Sequence, residues 1–141
     1  MKSLSTTESR STPTFARIKQ AFKEVDNEFL QFARSQSITD GSTCLLSLIQ
    51  DGSLTIANLG DSVATLVSKD GSWQKVSEDH NVKREDERQR ILESGGHVLR
   101  NKVQGALEVT RAFGNLELKD FISAEPEGLT IPLQDHHDLL I

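Results

Sequence analysis

The amino-acid sequence changes its hydrophobic period once, and that change limits the folds open to it. Phe15, Ile18, Phe22, Val25, Phe29 and Phe32 recur at alternating steps of three and four, the spacing that lays one apolar stripe along an α-helix. After Ser35 this spacing gives way to short runs, TCLLSLIQ, SLTIANLG, SVATLVSK and SWQKVS, separated by Asp51-Gly52, Gly60-Asp61 and Asp70-Gly71. Short β-rich runs punctuated by turn formers build antiparallel strands. The architecture expected is therefore α+β.

The helix is predicted from Pro13 to Ser35, with Thr12 as its N-cap and Pro13 at the first helical position, where a missing N–H costs nothing. Phe15, Ile18, Phe22, Val25 and Phe29 should pack it on a sheet. The strands from about Thr43 to Val76 are expected to form a meander. TCLLSLIQ, apolar on both faces, should lie centrally, and SWQKVS, more polar, nearer an edge. Residues 84–94 read as a short, highly charged, solvated helix held by Ile91 and Leu92 and ended by Gly95-Gly96. Beyond it the chain alternates turn formers with short apolar pieces, then opens a last strand at HDLLI that looks cut short.

Composition removes several function classes. The net charge of −5 and a pI near 5.3 leave no basic field for nucleic acid or an anionic membrane surface. No apolar run approaches the ~20 residues that span a bilayer, so no membrane role is expected. Cys44 is the single cysteine; it can form no internal disulfide, and its place in CLLSLI marks it as a small core residue of a protein in a reducing, intracellular compartment. The opening MKSLSTTESRST combines Ser and Thr with two basic residues. Glu8 and its shortness favour a disordered tail over residues 1–12 rather than a transit peptide.

Four polar features invite a chemical reading. Asp61, in the Gly60-Asp61-Ser62 turn, is expected to accept nearby backbone N–H groups rather than to catalyse. Asp135-His136-His137-Asp138 offers metal-ligand types, but adjacent residues of an extended segment point to opposite sides, so a polar turn is expected. His80, beside Asp79, could act as a base; a cap or turn role is the expectation. Asp40 precedes the Gly-Ser-Thr stretch.

Taken in order, the segments resemble the metal-dependent protein serine/threonine phosphatases of the PP2C-like, PPM type. DGSTCLLSLI is similar to that family's Gly-Ser-Thr strand, and LTIANLGDSVATLV to its VANVGDSRAVL hairpin. Asp79, His80, Glu87, Arg90, Ile91, Gly95, Gly96 and Val98 match its D-H-x-P-x-x-x-x-E-x-x-R-I pattern and the Gly-Gly-x-Val that follows, and the resemblance implies that Asp79 and His80 lie in a surface segment after the strands. VQGALEVTRAFGN, ISAEPE and DLLI resemble later family segments. Departures are Val63 for Arg, Val82 for Pro, Glu108 for a small residue and Asn115 for Asp, none of them a metal ligand in the family pattern. The spacing around the Ala-Glu-Pro stretch is similar to that of the mitochondrial 2-oxoacid-dehydrogenase type.

The resemblance implies that residues 13–141 are part of a PP2C-like β-sandwich of antiparallel sheets flanked by helices. It implies hydrolysis of phosphoserine and phosphothreonine in protein substrates by water activated on Mg²⁺ or Mn²⁺. The family's main ligands lie in an upstream Asp-Gly-His-Gly-Gly and in downstream Ser-Asp-Gly and Asp-Asn segments that residues 1–141 do not contain. The catalytic residues are thus expected outside this chain, which alone should be an inactive monomer without stably bound metal. Asp40 is the metal candidate within it, because some members place an Asp before this strand for an additional, weaker ion. A non-catalytic regulatory or binding module keeping the family's docking surface is the alternative, and a fragment without a stable fold a third. The compartment expected is the cytoplasm, with the mitochondrion as the other choice.

Overall fold

The computed structural model describes residues 14–133 and the backbone of residues 137–140. The expected tail over residues 1–12, the Thr12 cap, Pro13, and Asp135 and His136 of the predicted polar turn lie outside the described residues. The elements are α1 (Thr14–Gln36), β1 (Gly41–Ser42), β2 (Cys44–Gln50), β3 (Ser53–Leu59), β4 (Thr65–Ser68), β5 (Trp73–Lys75), α2 (Glu85–Glu93), β6 (Val98–Leu99), β7 (Lys102–Val103), β8 (Phe113–Gly114), β9 (Glu127–Pro132) and β10 (His137–Leu140). A single 3₁₀ turn spans Leu116–Leu118.

The strands sort into two antiparallel three-stranded sheets, β2-β3-β9 and β10-β4-β5, with the small pairs β1-β8 and β6-β7 beside them. Alternation along β3 explains the layering. Leu54 and Ile56 face one way and meet Leu66 of β4 together with Ala64 and Val76, which flank β4 and β5. Ala57 and Leu59 face the other way and meet Ile18 and Phe22 of α1. The first sheet is thus sandwiched between helix and second sheet, as the expected α+β architecture requires. A third core, Val82, Ile91, Val103, Ala112 and Ile122, holds α2 and the β6-β7 hairpin in a small lobe.

The predicted meander is corrected here. β2-β3 and β4-β5 are hairpins, but β3 takes β9 as its second neighbour and β4 takes β10. Gly60-Asp61-Ser62 therefore carries the chain between sheets instead of closing a hairpin, with Gly60 at φ +110° and close against Thr43. The central strand is β3, buried from Leu54 to Leu59. β2 borders its sheet among the described residues, half-buried at Cys44–Leu46 and exposed beyond, with Ile49 64% exposed. Both faces of β2 are apolar, and periodicity does not report which of them the fold covers. β5 lies at an edge of its sheet among the described residues.

The packing face of α1 is corrected by one residue. Phe15, Ile18 and Phe22 face the sheet, but the buried positions then run Asp26, Leu30 and Ala33, while Val25 and Phe32 are 49% and 54% exposed. The cause is Asp26, whose Oδ1 accepts the Gly114 N–H at 2.9 Å and the Lys119 ammonium at 2.8 Å. This buried bond set turns an acidic residue toward β8. Phe22 stacks obliquely on Phe113, ring centroids 5.2 Å apart.

Candidate functional site

The resemblance motifs, scattered along the sequence, converge in space. The first turn of α2 carries Glu87 inward, and it is only 1% exposed, contrary to a wholly solvated helix. Its Oε1 accepts the Arg111 Nε and Nη2 groups at 3.0 and 2.6 Å. Its Oε2 accepts the Thr110 hydroxyl at 2.6 Å and Arg90 Nη2 at 3.0 Å. Burial works to raise the Glu87 carboxyl, but the bonds from Arg111, Thr110 and Arg90 overcome it and hold the pKa at about 2. Arg90 also donates to the Phe121 and Thr110 carbonyls, so α2 is bolted to its lobe by charge. Leu92, the second expected apolar contact, is exposed.

A second carboxylate extends the network to the sheet. Glu127, at the start of β9, accepts Arg84 Nη1 at 2.7 Å, Arg84 Nη2 at 3.1 Å and Arg111 Nη2 at 2.7 Å. Those partners, with Arg84 foremost, hold its pKa at about 2. Arg84 forks to Asp86 as well, which it also lowers to about 2, and the paired carboxylates raise Arg84 in turn.

His80 closes the network and corrects its sequence reading: it is completely buried, not in a surface segment. Its Nδ1 accepts the Gly60 N–H at 3.0 Å, and Nε2 lies 3.3 Å from Glu127 Oε2. Burial first, then the Arg111 charge, push its pKa below the ordinary value despite Glu127 and Glu87. A buried imidazole engaged at Nδ1, with Nε2 near Glu127 but without a hydrogen bond to it, has a structural role.

The geometry tests the fit of a metal. Asp86, Glu87 and Glu127 each offer a carboxylate oxygen within 4.8 Å of the others. Their oxygens are already taken by Arg84, Arg90, Arg111 and Thr110, and the guanidinium groups supply the neutralising charge a cation would bring. This cluster does not fit a two-metal centre. Asp40 stands apart from it, exposed before β1, its carbonyl accepting the Asn115 N–H at 2.9 Å. Asp61 is also exposed and lines a polar hollow of about 330 Å³ with Asn81, Lys83, Arg100, Asn101 and Glu108. The crossover is held by Ser62 and Ser77 rather than by the Asp61 carboxylate: Ser77 Oγ accepts the Ala64 N–H at 2.9 Å and donates to the Ser62 carbonyl at 3.1 Å. Cys44 is half-buried against α1, and burial raises its thiol pKa. His137 and Asp138 belong to β10 itself. In the sequence Glu87 and Arg90 are pattern matches without a role and Arg111 is one residue of VQGALEVTRAFGN; their signal is one acidic and two basic residues inside the motifs.

The fold is found in solved structures. The "Structure of a C.elegans sex determining protein" shares it with a TM-score of 0.85 at 23% identity, over 93% of this chain and 33% of that one. The "serine-threonine phosphatase 2C from Toxoplasma gondii" shares it with a TM-score of 0.79 at 23% identity, over 87% of this chain and 47% of that one. The fold is thus that of a phosphatase 2C domain, in part. The family model described as "Protein phosphatase 2C" matches residues 2–141, and the chain belongs to the protein phosphatase 2C family. It is 38% identical over 128 residues to "Probable protein phosphatase 2C 2" of Arabidopsis thaliana, covering 88% of this chain and 33% of that protein. It is 42% identical over 119 residues to "Probable protein phosphatase 2C member 13, mitochondrial" of Oryza sativa subsp. japonica, covering 82% and 32%. The chain therefore spans about a third of the length of these relatives.

Proposed function

We propose that this chain forms the sandwich-and-lobe portion of a metal-dependent protein serine/threonine phosphatase, acting on phosphoserine and phosphothreonine in proteins, and that these 141 residues do not turn over substrate alone. The observation that supports this most is the family match across residues 2–141, combined with a carboxylate cluster whose oxygens are occupied by arginines. Phosphoester hydrolysis on two hard cations needs several free oxygen ligands around a shared water, and the network instead spends its carboxylates on holding the lobe. In the complete domain, Mg²⁺ or Mn²⁺ is held by carboxylates from segments other than this cluster. Asp40 is the residue of this chain proposed to reach an additional ion, since it is exposed and lies directly before β1. No helix among the described residues is long and apolar enough to cross a membrane. The site of action proposed is the cytoplasm, with the mitochondrion as the other choice.

The test is a phosphothreonine-peptide assay with Mn²⁺ or Mg²⁺. The mass-checked 141-residue chain should show no turnover, and joining the family's upstream Asp-Gly-His-Gly-Gly and downstream Ser-Asp-Gly segments should produce it. In the joined protein Asp40→Asn should raise the metal concentration needed for half-maximal rate. Metal-dependent turnover by the 141-residue chain that survives Asp40→Asn and Asp61→Asn would overturn the proposal.

A further inference from the structure

Gly60 and His80 clasp each other in both directions. The Gly60 N–H donates to His80 Nδ1 at 3.0 Å, and the His80 N–H donates to the Gly60 carbonyl at 3.0 Å. The Gly60 carbonyl also accepts Asn58 Nδ2 at 3.0 Å, and the His80 carbonyl accepts the Thr110 N–H at 2.9 Å. Because Nδ1 is an acceptor, the neutral ring carries its proton on Nε2, which faces Glu127 Oε2. One buried imidazole thus holds the crossover between the two sheets through Nδ1, while its Nε2 lies 3.3 Å from Glu127 without a hydrogen bond.

We propose that His80 is an acid-sensitive latch: the neutral ring holds Gly60, and a proton taken up from solvent at Nδ1 removes the acceptor, breaks the Gly60 bond and frees the Gly60-Asp61-Ser62 crossover. An imidazolium in this place would set an Nδ1–H against the Gly60 N–H, two donors facing each other in a site closed to water. The charged groups that bear on the ring are Glu127 from β9, Arg111 from the segment before β8, and Glu87 from α2. Arg84, at the N-terminus of α2, bonds through Nη1 the same Glu127 Oε2 that the ring's Nε2 approaches, and Asp79 is paired with Lys75 at 2.7 Å. Both nearby carboxylates are already bonded to arginines, so little attraction is left to offset burial and Arg111.

The sign follows from the direction of the shift. The ring's folded pKa lies below its value in an opened state, so the closed latch is fully favoured above about 6.5 and weakens as pH falls through the folded pKa. Amide exchange of the intact chain measures it. After correction for intrinsic exchange, Gly60 protection should be level above pH 7 and fall by up to roughly tenfold per pH unit below about 6.5. His80→Asn, whose Oδ1 can accept the same bond without titrating, should keep Gly60 protection level across that range. A level profile in the unaltered chain, or the same fall in His80→Asn, overturns the latch. If that variant does not fold, ¹⁵N-imidazole titration of the unaltered chain decides. Nδ1 protonation and the Gly60 amide shift should share one midpoint; a Gly60 signal indifferent to ring protonation, or an Nδ1–H tautomer at pH 7.5, refutes the proposal.

Discussion

Glu87→Gln removes one buried negative charge while keeping the length of the side chain and an acceptor for Thr110. The folded carboxyl sits at about 2 against a reference of 4.5. A pKa unit is worth about 1.4 kcal/mol, so ionised Glu87 contributes about 3 kcal/mol at pH 7. Breaking a buried ion pair from one side costs about 3–5 kcal/mol, and the lower end applies because both arginines keep other partners. Arg111 retains Glu127 and the Glu125 carbonyl, and Arg90 retains the Phe121 and Thr110 carbonyls. With a urea slope near 2 kcal/mol per molar, the midpoint of unfolding should drop by about 1.5 M. The carboxyl's folded pKa is depressed, so its stabilisation is present above about 4.5 and is lost as pH falls toward 2. The difference between the two proteins should therefore shrink to roughly half by pH 3. Added salt should leave the gap largely intact, because the pair is screened from solvent. A difference below about 0.5 kcal/mol at pH 7, or one that does not change between pH 7 and 3, would refute the account of the network.

Three further outcomes test the packing. Phe22→Asp places a charge between α1 and β3 and should remove about 5 kcal/mol, enough to abolish a cooperative thermal transition; an unchanged melting temperature would mean that α1 does not pack on the sheet. Gly128→Ala would drive a methyl into the Ile56 carbonyl oxygen and against Phe15, and because both are held by β3 pairing and by α1, a loss of at least about 2 kcal/mol is expected in urea unfolding. Asp26→Asn keeps an acceptor for the Gly114 N–H but loses the charge facing Lys119; a cost of about 2 kcal/mol is expected, and a cycle with Lys119→Met should show coupling of about 1 kcal/mol or more.

Much of the local structure was legible in residue order. The predicted end of α2 is seen in Gly95, at φ +82°, and in the Gly96 N–H that bonds back to Ile91. Asp51-Gly52 turns β2 into β3 because both residues sit at positive φ. The helix and each strand run announced themselves through period and turn chemistry, which are properties of neighbours in the chain. The candidate site was legible only as a set of matched positions. Asp40 and Asp61 drew notice as acidic residues beside glycine, and both are exposed; Glu87 looked like one more charge on a solvated helix, and it is buried.

The sequence by itself determined where helix and strands form, since amphipathic spacing and turn residues act within a few positions. Strand partners were decided by tertiary structure. β3 is covered on one face by α1 and on the other by the second sheet, and β9, more than sixty residues further along the chain, completes its hydrogen bonds. The same holds for the charges. Whether a Glu on a charged helix meets water or two arginines depends on what the chain brings opposite it, and Arg111 and Glu127 arrive at Glu87 and His80 only when the lobe closes on the sheet. A buried carboxylate and a solvated one share the same local pattern, and the partner that tells them apart is supplied by the fold.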